Sequence, residues 1–195
     1  MARKANFSRD EKLLEAMALF WKKGYANTAI SDLVDGLKIN RFSLYNTFGD
    51  KQHLYYEALD TYLKTISFPS LNELSQKDAS MPELERFLIQ FAKIQRKGTS
   101  GCFMQNALVE HAGEDCTVLE KGNRLFDHLL TVLKSAIDNA QKQGLVITST
   151  HSEHIAKLIL NQMQGMRVLG KAKRYDDLDC ALNALLVLIK TEKHE

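Results

Sequence analysis

Apolar residues recur at intervals of three and four along almost the whole chain, and only two prolines interrupt them. That spacing lines one face of an α-helix, whereas a half-buried strand alternates apolar and polar residues. The first such stripe is Leu13, Met17, Phe20 and Trp21, and the second is Ile30, Leu33, Val34 and Leu37. A longer one places Leu54, Ala58, Leu59, Tyr62, Leu63 and Ile66 inward. Leu84, Phe87, Leu88 and Phe91 follow; later come a long helix from about Asp115 to Gln143 and a stripe through Ile155, Leu158, Ile159, Met163 and Met166. The last helix, about Asp176 to Lys190, is apolar on more than one face, which suits packing on its own core and on a partner. The expected fold class is all-α.

Local signals place the helix ends. Ser8–Glu11, Ser80–Glu83 and Thr150–Glu153 each have the spacing of a capping box, in which a hydroxyl and a carboxylate satisfy free amides at a helix start. Gly24 and Gly144 fall where helices stop, and a short helix from about Cys102 to His111 follows a break at Gly98-Thr99-Ser100-Gly101. A helix opening near Asn27 or Thr28 leads to a turn at Lys38-Ile39 and a short helix capped by Asn40, with Ile39 and Leu44 spaced as a hydrophobic staple. Pro69 and the polar run Asn72 to Ser80 divide the chain into two halves.

With 195 residues, 45% hydrophobic and 26% charged, the chain can bury a sizeable core. No apolar run approaches the roughly 18 residues of a membrane span, and Met1 to Asn6 lack the apolar stretch of a secretion signal. Three cysteines, an odd number without disulfide-dense spacing, suit a reducing compartment. A soluble cytoplasmic protein with no membrane partner is expected. The net charge is only +2, but residues 1–52 hold nine basic and six acidic groups, so the basic excess lies at the front.

Residues 28–48 are the most informative stretch. A helix of about ten residues, a short turn and a second helix starting Asn40-Arg41-Phe42-Ser43 have the form of a helix-turn-helix. Burying Ile30, Leu33, Val34, Leu37, Ile39, Leu44 and Phe48 leaves Arg41, Phe42, Ser43, Tyr45, Asn46 and Thr47 on the other side. Arginine can fork onto guanine, hydroxyls bind phosphates or base edges, and an aromatic ring can contact a thymine methyl. A plain surface helix seldom exposes two aromatics to water. Lys51, at the start of the next helix with its free amides, suits a phosphate.

Two segments resemble a known family. Ala18-Leu19-Phe20-Trp21-Lys22-Lys23-Gly24-Tyr25-Ala26-Asn27-Thr28 is similar to the "A-x-x-L-F-x-x-x-G-Y-x-x-T" start of TetR-type (TetR/AcrR) transcriptional regulators. Ser43-Leu44-Tyr45-Asn46-Thr47-Phe48-Gly49-Asp50-Lys51 is similar to their "S-L-Y-x-x-F-x-x-K". Lys38, Phe42 and Thr47 depart from the residues common there, and the run Ile39-Asn40-Arg41 to Asp50-Lys51 resembles one branch of the family, with an I-N-R-x-S-L-Y-x-T-F-G-D-K segment. The resemblance covers about the first 65 residues. It implies a DNA-binding domain over residues 1–50, a connecting helix over about 51–67, and a C-terminal ligand-binding and dimerisation domain over 68–195. It also implies a homodimer paired through the last two helices, a double-stranded DNA operator of roughly palindromic sequence, and release of a repressor by a small molecule or reactive electrophile. Thr28 and Asn40 join the DNA-contacting set on this basis.

In the second half, Gly101-Cys102-Phe103-Met104-Gln105-Asn106-Ala107-Leu108-Val109-Glu110 looks like a "G-C-x-x-x-N-x-x-x-E" segment of several such C-terminal domains. Cys102, near a helix start, has either the position of a lowered-pKa thiol or that of a small packed residue. Phe87, Phe91, Phe103 and Phe126, with Leu130, Met163 and Met166, could line an apolar effector pocket together with Cys102 and Asn106, or simply form core. His151 with His154, and His111 with Glu114, Asp115 and Cys116, have possible ligand spacing, but an exposed helix start and a polar loop explain them more simply. No metal or cofactor is expected. A catalytic triad, a phosphate loop, a GxGxxG run and a CxxC pair are missing from the sequence, so the expectation is a regulator and not an enzyme. The alternatives are a helical-bundle metal-binding protein or enzyme without DNA binding, and a helical adaptor using its last helix.

Overall fold

A computed structural model describes residues 7–97, 100–111 and 113–191. Arg3, Lys4 and the Gly98-Thr99 part of the expected break lie outside the described residues. Among those described, the helices are α1 (Arg9–Lys23), α2 (Ile30–Leu37), α3 (Arg41–Phe48), α4 (Lys51–Tyr62), α5 (Met81–Lys97), α6 (Phe103–Glu110), α7 (Cys116–Lys142), α8 (Ser152–Lys171) and α9 (Tyr175–Ile189). A π-helical turn over Leu63–Ser67 and a 3-10 turn over Pro69–Leu71 follow α4. The chain separates into two compact units, residues 1–68 with 102–123 and residues 69–101 with 124–195. The segment from Cys102 through the first turns of α7 thus belongs with the N-terminal helices.

The first unit is built on α1 against α4. Phe20 meets Tyr55 edge-on with ring centroids 5.1 Å apart, and Trp21 meets Tyr62 at 5.0 Å. Phe103 of α6 stands edge-on to both tyrosines, at 5.6 and 5.8 Å. Each such buried ring contributes roughly 1.5–3 kcal/mol, plus about 0.5–1.5 kcal/mol for a well-oriented pair. Arg9 ties three helices: its guanidinium donates to both oxygens of Glu57 on α4, at 2.8 and 2.7 Å, and its Cζ lies 4.9 Å from the Phe48 ring centroid of α3.

The second unit packs α5, α8 and α9, with the later turns of α7. Lys190 Nζ donates to both oxygens of Glu85, at 2.9 Å each, joining the end of α9 to α5. Asn139 donates to the carbonyls of Lys77 and Ala79, and Gln141 to those of Ile147 and Thr150, so side chains of α7 satisfy two loops. The run Asn72 to Ser80, expected as a polar linker, is packed into this unit through buried Leu74 and Ala79.

Three local expectations change. α2 opens at Ile30 with Ala29 as its N-cap, later than Asn27 or Thr28, because the Asp32 carboxylate accepts the Ala29 amide at 2.8 Å. α8 opens at Ser152 behind His151, without a side-chain cap, so Thr150–Glu153 is not a capping box. Ile66 is exposed: the π turn holds an extra residue and shifts the helical phase that kept Leu63 inward. Elsewhere, Ser8 accepts the Glu11 amide, and the Ser80 amide donates to Glu83.

The α2–α3 turn carries a local cost. Lys38 adopts the left-handed conformation, with φ 53° and ψ 41°, and its amide donates back to Asp35 and Val34. A side chain with a Cβ costs about 1–2 kcal/mol there, partly offset because glycine loses more chain entropy on folding, about 0.5–1 kcal/mol. Lys38→Gly is therefore expected to stabilise the protein by up to about 1 kcal/mol, seen as a higher denaturant midpoint.

Candidate nucleic-acid interface

The exposed surface of α3 is set by its start. The Asn40 side-chain oxygen accepts the Ser43 amide at 2.8 Å, and its carbonyl accepts the Leu44 amide at 3.0 Å. Ile39 and Leu44, on either side of that cap, are both buried and close the staple. Leu44 and Phe48, four residues apart, then fasten α3 to the unit's core. Every other α3 side chain faces outward or sideways. Phe42 is 75% exposed, and Tyr45, Arg41 and Asn46 are exposed beside it, with Ser43 and Thr47 half-buried.

The electrostatics favour this face for an anion. Lys12 pairs with Glu15, Lys23 with Asp32 and Lys121 with Asp60. Arg41 and Lys51 make no ion pair among the described residues. Arg41 stacks instead, its Cζ 5.7 Å from the Tyr45 ring centroid. Lys51 Nζ sits 4.2 Å from the Tyr25 ring centroid. Burial, then the nearby Asp50 and Asp115 carboxylates, push the Tyr25 phenol above its ordinary value, so that ring stays neutral beneath the ammonium.

Two expected contacts are altered. Thr28 is wholly buried and its hydroxyl donates to the Gly24 carbonyl at 2.6 Å, so it stabilises the turn after α1 and is not displayed to a partner. The start of α4 is not an open set of amides: Asp50 caps it, accepting the His53 amide at 2.8 Å, and this bond is the main reason its carboxyl lies below the ordinary carboxylate value.

A residue with no expected role holds the turn before the helix-turn-helix. Glu110, the last residue of α6, accepts the Tyr25 amide at 2.9 Å and the Ala26 amide at 2.7 Å. Gly24 permits this: its φ is +83°, and a Cβ there would stand 3.1 Å from the Glu110 oxygens. The "x-x-x-E" spacing singled out Glu110, but nothing in the sequence pairs it with amides 84 and 85 residues away. Nearby, Asp115 accepts the Thr117 and Val118 amides and the Tyr56 hydroxyl. Its burial opposes ionisation, but these hydrogen bonds prevail and lower its pKa.

The nine residues suggested for a pocket divide between the units. Cys102, Phe103 and Asn106 lie in the first, where Phe103 is core against Tyr55 and Tyr62. Cys102 is the N-cap of α6 and only 5% exposed, the burial of a packed residue; the exposed thiols are Cys116 and Cys180. Phe87, Phe91, Phe126, Leu130, Met163 and Met166 lie in the second, with Phe87 and Phe91 centroids 6.2 Å apart and both methionines buried. Among the described residues, no group of three His, Cys, Asp or Glu is placed to hold a metal ion, and no helix is long and apolar enough to cross a membrane.

Removing the Glu110 carboxylate leaves two amides without their acceptor. Glu110→Ala is expected to destabilise the first unit by about 1–2 kcal/mol. Hydrogen exchange at Tyr25 and Ala26 should accelerate at least tenfold while Leu54 exchange changes less; unchanged exchange at both turn amides would contradict the clamp.

Comparison with known proteins agrees with this geometry. Residues 13–58 match the family described as bacterial regulatory proteins, tetR family. The chain is 27% identical over 173 residues to the HTH-type transcriptional repressor ComR of Escherichia coli K12, covering 85% of this chain and 80% of that protein. It is 23% identical over 157 residues to the HTH-type transcriptional repressor DhaR of Mycobacterium sp. GP1, covering 80% and 78%. The fold superposes with a TM-score of 0.80 on a cysteine mutant of the TetR family transcriptional regulator CifR complexed with 26-bp operator DNA, at 22% identity over 95% of this chain and 98% of that one. Residues 13–58 thus match the TetR-family N-terminal helix-turn-helix domain, in a chain that shares its fold with TetR regulators.

Proposed function

We propose that this chain is a ligand-responsive transcriptional repressor, not an enzyme, that binds a double-stranded DNA operator through α3. The carrying observation is the stapled α3 with Arg41, Phe42 and Tyr45 outward and no carboxylate among the described residues pairing Arg41. Residues 1–50 serve as the DNA-binding domain, about 51–67 as the connecting helix, and 68–195 as the ligand-binding and dimerisation domain. Arg41, Phe42, Ser43, Tyr45, Asn46 and Thr47 read or line the groove, Asn40 orients them by capping the helix, and Lys51 meets a phosphate. The repressor relatives and the operator complex of CifR support this reading, and a cytoplasmic location goes with it.

Regulation follows from linkage. An effector that prefers one arrangement of the second unit shifts the population toward it and weakens DNA binding by the same free energy. Glu110 is the residue through which α6 constrains the helix-turn-helix. The effector site is assigned to the second-unit residues Phe87, Phe91, Phe126, Leu130, Met163 and Met166. The burial of Cys102 favours a reversible ligand over an electrophile.

Dimerisation rests on unpartnered apolar stripes. On α8, Leu158 and Val168 are exposed on the face that also carries Asn161 and Gly165, and on α9 Val187 and Leu188 are 75% and 68% exposed. Pairing these helices with their symmetry copies covers both stripes, and two-fold symmetry presents two α3 helices to successive major grooves.

Selection from random duplex DNA, followed by titration at several salt concentrations, tests DNA recognition. Lys51→Ala should weaken binding to all sequences and reduce the salt slope by about one unit. Arg41→Ala should cost roughly 1–3 kcal/mol at one base position and relax its preference. Failure to enrich any sequence would reject operator recognition. In sedimentation equilibrium the wild-type chain should be a dimer at micromolar concentration, and Val187→Glu should shift it to monomer with its helical circular dichroism intact; a monomeric wild type would reject the proposed pairing.

A further inference from the structure

Arg167, on α8 in the second unit, is a charged side chain only 8% exposed, and no carboxylate among the described residues pairs with it. On the neighbouring helices α5 and α9, Glu85 pairs with Lys190, Asp179 with Arg96 and Asp177 with Arg174, and no acid of either helix pairs with Arg167 among the described residues. A buried charge ordinarily has a counter-ion, and none among the described residues serves this one.

The guanidinium is held in place by neutral groups. Its Nη1 donates to the Gln164 side-chain oxygen at 2.8 Å, and Gln164 is itself oriented by a bond from its amide nitrogen to the Leu160 carbonyl. One face lies over Phe91 of α5, with Cζ 5.2 Å from the ring centroid. The close approach of the helices depends on Gly170, one turn along the same face of α8: a Cβ there would stand 2.7 Å from the Gln95 carbonyl oxygen of α5. Arginine has five N–H donors, and the bond to Gln164 uses one of them. The side-chain polar atoms that are both fully enclosed and without a partner among the described residues are Tyr55 Oη and His111 Nε2, so the Arg167 nitrogens are not sealed off in that way.

We propose that Arg167 receives an organic carboxylate whose apolar body packs on Phe91 and Phe87. The planar guanidinium fork matches the two oxygens of a carboxylate, and the Phe91 ring beneath it with Phe87 beside supplies an apolar neighbourhood. This names the chemical class of the effector and rests on the regulatory reading above.

The test uses two acids, octanoate and 3-phenylpropanoate, each beside its primary amide, in calorimetric titration of the full-length protein without DNA. At least one acid should bind wild type ten-fold or more tightly than its amide, and Arg167→Gln should abolish that preference while Arg167→Lys keeps part of it. If neither acid is preferred over its amide by the wild type, the proposal is overturned without recourse to any variant. An acid preference that survives in a folded Arg167→Gln protein overturns it equally. The DNA selection separates the two readings. Acid binding through Arg167 without any enriched DNA sequence upholds this site and defeats the repressor assignment; an enriched operator without acid preference does the reverse.

Discussion

The edge-on packing of Phe20 against Tyr55 joins α1 to α4, and the first unit is arranged around that joint. Phe103 extends it to α6, and Arg9, bound to Glu57 and stacked on Phe48, carries it to α3. A short helix with two buried side chains has little stability of its own, since nucleation is costly and eight residues are too few to repay it. α3 is therefore held by its packing on α2 and α4 and by the Arg9 contact from α1. Its solvent-facing residues can then differ freely in chemistry without loss of the helix.

Charge is distributed by the same economy of contacts. Acidic residues neutralise Arg9, Lys12, Lys23 and Lys121 in the first unit, and Arg96, Arg174 and Lys190 in the second. Arg41, Lys51 and Arg167 are instead oriented by aromatic rings, at Tyr45, Tyr25 and Phe91. A ring fixes the direction of a cation without cancelling its charge, which leaves the cation available to an anion. Arg41 is exposed and Lys51 half-buried, whereas Arg167 is buried in the second unit.

The Glu110 clamp gives the first unit a mechanical feature. Two charge-assisted bonds run from α6 to the turn between α1 and α2, immediately before the helix-turn-helix. A displacement of α6 breaks those bonds or carries the turn with it. Either result changes how α2 and α3 are held.

Periodicity and caps made the helices legible. The Asn40 cap, the Ile39–Leu44 staple and the outward set from Arg41 to Thr47 are local relations within one or two turns, and local chemistry decides them. The resemblance of the Gly24–Thr28 and Ser43–Lys51 segments to TetR regulators also lay in the residues themselves. Where packing or backbone geometry intervened, spacing alone fell short. Thr28 was an exposed candidate until Gly24 took its hydroxyl, Ile66 an inward one until the π turn rotated it, and Phe103 a pocket candidate until Tyr55 and Tyr62 enclosed it. By itself the sequence determined the all-helical class, the helix-turn-helix and the face α3 turns outward, because these depend on spacing over a few residues. Only the tertiary structure decided that Glu110 grips the first turn and that Arg167 is buried without an acid among the described residues, because hydrogen-bond partners and counter-ions are assigned by packing between segments far apart in the chain.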